Sequence, residues 1–294
     1  MVFKPYRTTT AWQGLLVCAV LVALDGWLVN QTLNRPLDGL SFALVLAVLA
    51  SLPLLAYLAY RTYGAFTLEY WVDRDGVTII WGPVRYLIPM GDIVRIVRGD
   101  ADGRRRWWHW PAPWVSQRQS ARFGIVRSFA TQPPAAHILL VTEAGAYSLT
   151  PARPERFLAA LQARHALGRA RVQRLATIRP PLRDYPLWQD RLGLALLVAG
   201  FALNLIVFAI LSWRFPALPD DLPLHFDALG QPDRIGARSA LFILPVLGAL
   251  SWLTNTLWGI WQYRRQRLAS YLLWGGAVVV QVVALVALQG LLKT

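Results

Sequence analysis

One histidine and four aspartates crowd a single short stretch, FPALPDDLPLHFDALGQPDRIGARS (215 to 239), where His225 lies among Asp220, Asp221, Asp227 and Asp233. Imidazole and carboxylate together can ligate a metal. A zinc site, however, is built from convergent imidazoles or thiolates, and neither a second histidine nor a cysteine joins this set. A histidine that hydrogen-bonds its own loop is therefore the favoured reading of His225, and no metal is assigned. A second stretch, RRRWWHWPAPW (104 to 114), sets Arg104, Arg105 and Arg106 beside Trp107, Trp108, Trp110 and Trp114. Guanidinium groups attract anions, and indole rings suit the boundary between water and hydrocarbon. Lipid headgroups, nucleic acid and a loop folded back on its own domain compete for such a segment.

Elsewhere the residues that do chemistry are scattered. There is no HExxH, GxSxG, Walker loop or dinucleotide fingerprint, and His109, His137 and His165 fall on a predicted loop, strand and helix with nothing to unite them. The sequence predicts a noncatalytic protein with no cofactor.

The elements that carry these stretches follow from composition. Of 294 residues, 55% are hydrophobic and only 16% charged, which excludes an ordinary soluble domain. Five apolar runs, 11 to 29, 40 to 60, 192 to 213, 239 to 261 and 271 to 291, are each long enough to cross about 30 Å of hydrocarbon at about 1.5 Å per residue. Arginine and lysine gather on one side of them: Lys4, Arg7, Arg61, Arg183, Arg191, Arg264, Arg265 and Arg267. By the positive-inside rule the N-terminus is cytoplasmic and the C-terminus external, in a multi-pass protein of the plasma membrane. The net charge of +14 thus belongs to cytoplasmic segments rather than to nucleic-acid binding.

Polar residues within the spans are expected to be structural. Asp25 is near enough to the external end to snorkel, while Asn204, Asn255 and Gln281 can hydrogen-bond between helices. Cys18 lies inside an apolar run, where it reads as a small buried residue.

Between the second and third spans the period changes from helical to extended. FTLEYWV (66 to 72), VTIIW (77 to 81), VRYLI (84 to 88), IVRIVRG (93 to 99), FGIVRSFA (123 to 130), HILLVT (137 to 142) and AYSLT (146 to 150) read as seven strands. PARPERFLAALQARHAL follows as a helix that places Phe157, Leu158, Leu161 and His165 on one face. Through YWVDRDGVTI, PMGDIVRI and LTPARPERFLAAL, residues 65 to 166 resemble the bacterial PH-like domains of membrane proteins. The resemblance implies a small antiparallel β-barrel or sandwich closed by a C-terminal helix, with no common catalytic activity. Lipid-binding eukaryotic versions carry basic residues around the first hairpin, a turn that here is Asp73, Arg74, Asp75 and Gly76.

In the loop between the third and fourth spans, prolines exclude a long helix and glycines permit turns. Its Pro219, Pro223, His225, Phe226, Gly230, Pro232, Asp233 and Gly236 resemble the loop of a domain of unknown function found in SdpI-type immunity proteins, over residues 190 to 262. The chain departs from that pattern at Leu224, Asp227 and Ile235.

The fold class expected is a multispanning α-helical membrane protein with an inserted cytoplasmic all-β PH-like barrel capped by a C-terminal helix. Its parts are a transmembrane helix pair (1–62), the PH-like domain (63–168), a basic linker (169–190) and a three-helix transmembrane domain (191–294) with an external loop (214–238). The function expected is an envelope interaction or sensing module. Its partners are the bilayer with its anionic headgroups and a protein of unknown identity, not nucleic acid. The alternative is a transporter or toxin-resistance protein of the immunity type.

Overall fold

The computed structural model describes residues 1–99, 116–166, 175–178, 185–226 and 232–292. The helices among them are α1 (Thr10–Leu33), α2 (Gly39–Thr67), α3 (Pro154–Ala166), α4 (Arg191–Arg214), α5 (Ile243–Gln262) and α6 (Arg267–Leu291). All but α3 are long and apolar enough to cross a membrane, so the protein is multi-pass. A helix satisfies its backbone groups internally, and apolar side chains around its circumference match lipid, which is why such runs fold as helices there.

Two compact units emerge, Met1–Asp25 with Ala50–Arg183 and Gly26–Leu49 with Asp184–Thr294. Among the described residues the first holds ten strands: β1 (Val2–Phe3), β2 (Glu69–Val72), β3 (Gly76–Trp81), β4 (Val84–Pro89), β5 (Ile93–Arg98), β6 (Ser116–Ser120), β7 (Gly124–Ser128), β8 (Ile138–Thr142), β9 (Gly145–Leu149) and β10 (Ala176–Ile178). They form one sheet in the order β1-β2-β3-β4-β10 and another in the order β5-β8-β9-β7-β6. Alternation explains the faces. In β2, Tyr70 and Val72 are buried while Trp71 is exposed, and β3 and β4 repeat the pattern. Tyr70, Val77, Ile79, Val84 and Ile88 of one sheet share a core with Ile138, Leu140, Tyr147 and Leu149 of the other, and Phe157 and Leu161 of α3 close it.

The all-β domain with its closing helix is present, but three features of the expected barrel are corrected. The described strands make two separate sheets rather than a closed barrel. Pairing is not wholly antiparallel, because β7 runs parallel to β9. Nor is the sheet drawn from one insert: Val2 and Phe3, before α1, pair with Trp71 and Tyr70, and Ala176–Ile178, within the stretch read as a linker, pair with β4. Two- and three-residue edge strands leave no usable periodicity in the sequence, so only the partner strand reveals them.

The stretch expected to be extended from residue 66 is helical as far as Thr67. There Thr67 Oγ1 donates to Tyr63 O at 2.8 Å and accepts from the Gly82 amide at 2.9 Å, which secures the last helical turn.

In the second unit, β11 (Asp221–Phe226) and β12 (Pro232–Ala237) form an antiparallel hairpin between α4 and α5. Its register shifts on both sides of His225, an irregularity suited to a hairpin interrupted by Pro223 and Pro232. Leu222 reaches down from the hairpin into a buried cluster with Val207, Leu211, Leu241 and Leu288.

Candidate functional site

The two sites expected from sequence fare differently. Arg104, Arg105, Arg106, Trp107, Trp108, Trp110 and Trp114 lie outside the described residues, as does Gly230. Of the remaining loop residues, Pro223, His225 and Phe226 fall on β11 and Pro232 and Asp233 on β12, so the fold brings both halves of the motif onto one hairpin. His225 pairs in register with Arg234, and Phe226 with Pro232.

Arg238 fastens the base of that hairpin. Its guanidinium donates to Leu218 O at 3.0 Å, meets Asp220 at 3.2 Å and lies 5.0 Å from the centre of the Phe215 ring, while its amide donates to Asp220 O at 2.9 Å. Its clamping role depends on a turn that returns the chain to Leu218, and no local spacing discloses that.

Below the hairpin, Asn204 of α4 donates to Gln281 Oε1 on α6 at 3.0 Å and to Pro245 O on α5 at 2.9 Å. Gln281 Nε2 in turn donates to Gly248 O at 2.7 Å. The interhelical role expected of these two residues is observed. Asn255 differs, for it donates to Ser251 O at 2.8 Å on its own helix. Asp25 differs too: it is only 9% exposed and accepts from Ser51 Oγ at 2.8 and 2.9 Å, so α2 satisfies a carboxylate that was expected to reach for the interface.

At the opposite end of α4, Asp190 caps the helix by accepting from the amides of Leu192 and Gly193, both at 3.1 Å. Tyr263 and Tyr271 donate to its other oxygen at 2.6 and 2.7 Å. Desolvation pushes the Asp190 pKa up, but the two phenols and two amides outweigh it and hold the group below the usual carboxylate range. Burial, reinforced by the bond to Asp190, pushes the Tyr263 phenol above its ordinary range.

In the first unit, α2 runs almost directly into the sheet: it ends at Thr67 and β2 begins at Glu69, with the buried Leu68 between them. Its last turns also enter the domain core. Tyr60 meets Trp81 edge-on at 5.1 Å, the Arg61 guanidinium lies 5.7 Å from the same ring, and Gly64 permits an approach that a methyl group would block. A helix that crosses a membrane is thus fixed to β3 without a flexible joint.

One pair could be mistaken for catalytic machinery. Ser148 Oγ and His137 Nδ1 are 2.7 Å apart, and Nε2 is 2.8 Å from Gln132 O. A carbonyl only accepts, so Nε2 carries the proton and Nδ1 accepts from the serine. Ser148 is fully buried, which closes it to a substrate.

Comparison with known proteins divides the chain along similar lines. Residues 68–165 match the family described as Bacterial PH domain, and residues 202–249 match Domain of unknown function (DUF1648). A protein of Archaeoglobus fulgidus, named as an uncharacterized protein, is 44% identical over 54 residues, which cover 17% of this chain and 29% of that one. The chain therefore spans less than a third of the length of that curated relative. No solved structure matches. The two family matches bear out the combination read from the strand motifs and the hairpin motif: this is a membrane protein that joins a PH-like segment to one similar to DUF1648.

Proposed function

We propose that the protein is a noncatalytic interaction or sensing module of the bacterial envelope. Its PH-like domain faces the cytoplasm and touches the inner leaflet or a protein held there, and its hairpin faces outward. The observation that supports this most directly is the junction of α2 with β2, where one residue separates a membrane-spanning helix from the sheet. A domain joined so closely stays at the bilayer surface. The segment 104–114 lies in sequence between β5 and β6 of the same domain, and each of its three arginines would gain about 1 kcal/mol near anionic headgroups.

The test uses the full chain with Cys18→Ala and Trp108→Cys, carrying an environment-sensitive fluorophore at position 108, in proteoliposomes. Anionic lipid should shift its emission to the blue at low ionic strength, and salt should reverse the shift. Emission indifferent to lipid charge would remove leaflet contact and leave a protein surface as the role of the segment.

The buried Asp25–Ser51 contact favours a second reading, a transporter or toxin-resistance protein, because ionisable groups inside spans often mark ion pathways. Asp25→Asn that folds normally but abolishes a resistance phenotype would support it, and a retained phenotype would count against it.

A further inference from the structure

Where α1 begins and α2 ends, the first unit contains a cavity of about 290 Å³ whose lining includes Lys4, Arg7, Trp12, Phe66, Glu69 and Thr131. We propose that this cavity binds the phosphodiester headgroup of a membrane phospholipid. The proposal rests on the reading above that this end of the helices lies at the inner leaflet.

Three observations carry it. The first is charge. Neither the Lys4 ammonium nor the Arg7 guanidinium is engaged in a hydrogen bond or ion pair among the described residues, and both side chains are exposed. Among the described lining residues Glu69 is the sole acid, and it accepts from Trp71 Nε1 at 2.9 Å. Two cations and one acid leave a single net positive charge, which matches a monoanionic phosphodiester. A phosphate dianion or a polyphosphorylated headgroup would remain undercompensated.

The second is preorganisation. The segment bearing the cations is fixed to the sandwich: Ala152 N donates to Lys4 O at 2.9 Å, Tyr6 N donates to Thr150 O at 2.9 Å, and Thr131 Oγ1 donates to Tyr6 O at 2.8 Å. A backbone already fixed costs little further entropy when an anion arrives.

The third is depth. Trp12 in the first turn of α1 and Phe66 in the last turn of α2 stand edge-on at 5.3 Å, with Trp12 66% exposed. Aromatic rings at the ends of two spans mark the boundary between headgroups and hydrocarbon, so the cavity opens where a lipid phosphate resides and the rings flank its acyl chains. The described lining of this cavity does not include the Asp73–Gly76 turn, whose two aspartates do not suit anion capture.

Native mass spectrometry of the detergent-purified full chain tests the proposal with phosphatidylglycerol, glycerol phosphate and inorganic phosphate as probes. The wild type should retain one phosphatidylglycerol, and Lys4→Gln with Arg7→Gln should weaken that retention about tenfold or more. Lys4→Arg with Arg7→Lys should retain the lipid, since charge is preserved. Undiminished retention in the glutamine variant overturns the site, as does loss of retention in the charge-preserving variant. Displacement of the lipid by an excess of either soluble phosphate would assign the cavity to a soluble phosphate compound and overturn the lipid assignment. The fluorophore at position 108 reads leaflet contact separately: a glutamine variant that still shifts in anionic vesicles yet retains lipid as the wild type does defeats this proposal alone.

Discussion

Asn204 donates to Gln281 Oε1 across 3.0 Å while both side chains are buried among α4, α5 and α6. Each amide also bonds a backbone carbonyl of α5, Pro245 O and Gly248 O, so the pair ties three helices with three hydrogen bonds. Asn204→Leu would leave Gln281 Oε1 without its donor and should cost about 1 kcal/mol, given that interhelical hydrogen bonds in membranes average about 0.6 kcal/mol. Thermal unfolding of the purified chain checks this. Adding Gln281→Leu should cost less than the sum of the two single changes, because the second removes the orphaned acceptor.

Gly259 lies against the indole of Trp274, which is 1% exposed, and a methyl group on Gly259 would overlap Trp274 Nε1. Gly259→Ala should therefore force α5 and α6 apart, with an overpacking cost of about 1–3 kcal/mol. Gly275→Ala, where nothing lies near the added methyl, should leave the melting temperature unchanged. Equal behaviour of the two variants would reject close packing as the reason for glycine at 259.

The Asp190 cluster gives stability a pH dependence at both ends. The folded pKa of Asp190 is depressed, so its contribution is present above its unfolded pKa of about 3.9 and is lost as pH falls through the folded value. The folded pKa of Tyr263 is raised, so its contribution is complete below its unfolded pKa of about 10 and is lost as pH rises through the folded value. Unfolding temperatures should form a plateau between these limits. Asp190→Asn, which preserves a helix cap, should flatten the acid limb; an unchanged acid limb would assign it to other carboxylates.

Arg238→Met removes the ion pair to Asp220, the bond to Leu218 O and the stacking on Phe215 while keeping a long apolar stem. The ion pair is largely exposed on its acid side and contributes little. Loss of the other two contacts should cost about 1 kcal/mol and raise the rate of proteolysis within the hairpin. Proteolysis at the wild-type rate would show that Leu222 packing alone secures the hairpin.

Topology can be read with the chain free of its native cysteine. Cysteines introduced singly at Arg265, between α5 and α6, and at Asp221, on the hairpin, occupy exposed positions at opposite ends of α5. In intact cells an impermeant maleimide should label position 221 and spare position 265 until the membrane is opened. The reverse pattern would invert the proposed orientation.

The apolar runs, the strand alternation of Tyr70, Val72, Val77 and Ile79, and the loop motif around His225 were legible in the sequence. Each is a local pattern, set by a helix long enough to match hydrocarbon, a pleat with a period of two, or residues adjacent in the chain. The remaining features depend on partners distant in sequence. Val2 and Phe3 become a strand because β2 presents an edge, Ala176–Ile178 because β4 does, and β7 lies parallel to β9 rather than joining an antiparallel ladder. The same holds for the candidate sites. Lys4 and Arg7 looked only like topogenic charges until Thr131, Thr150 and Ala152 fixed their backbone beside Trp12 and Phe66. Composition supplies charge and hydropathy residue by residue, whereas a cavity exists only once segments more than fifty residues apart share one wall, as Lys4, Phe66 and Thr131 do here.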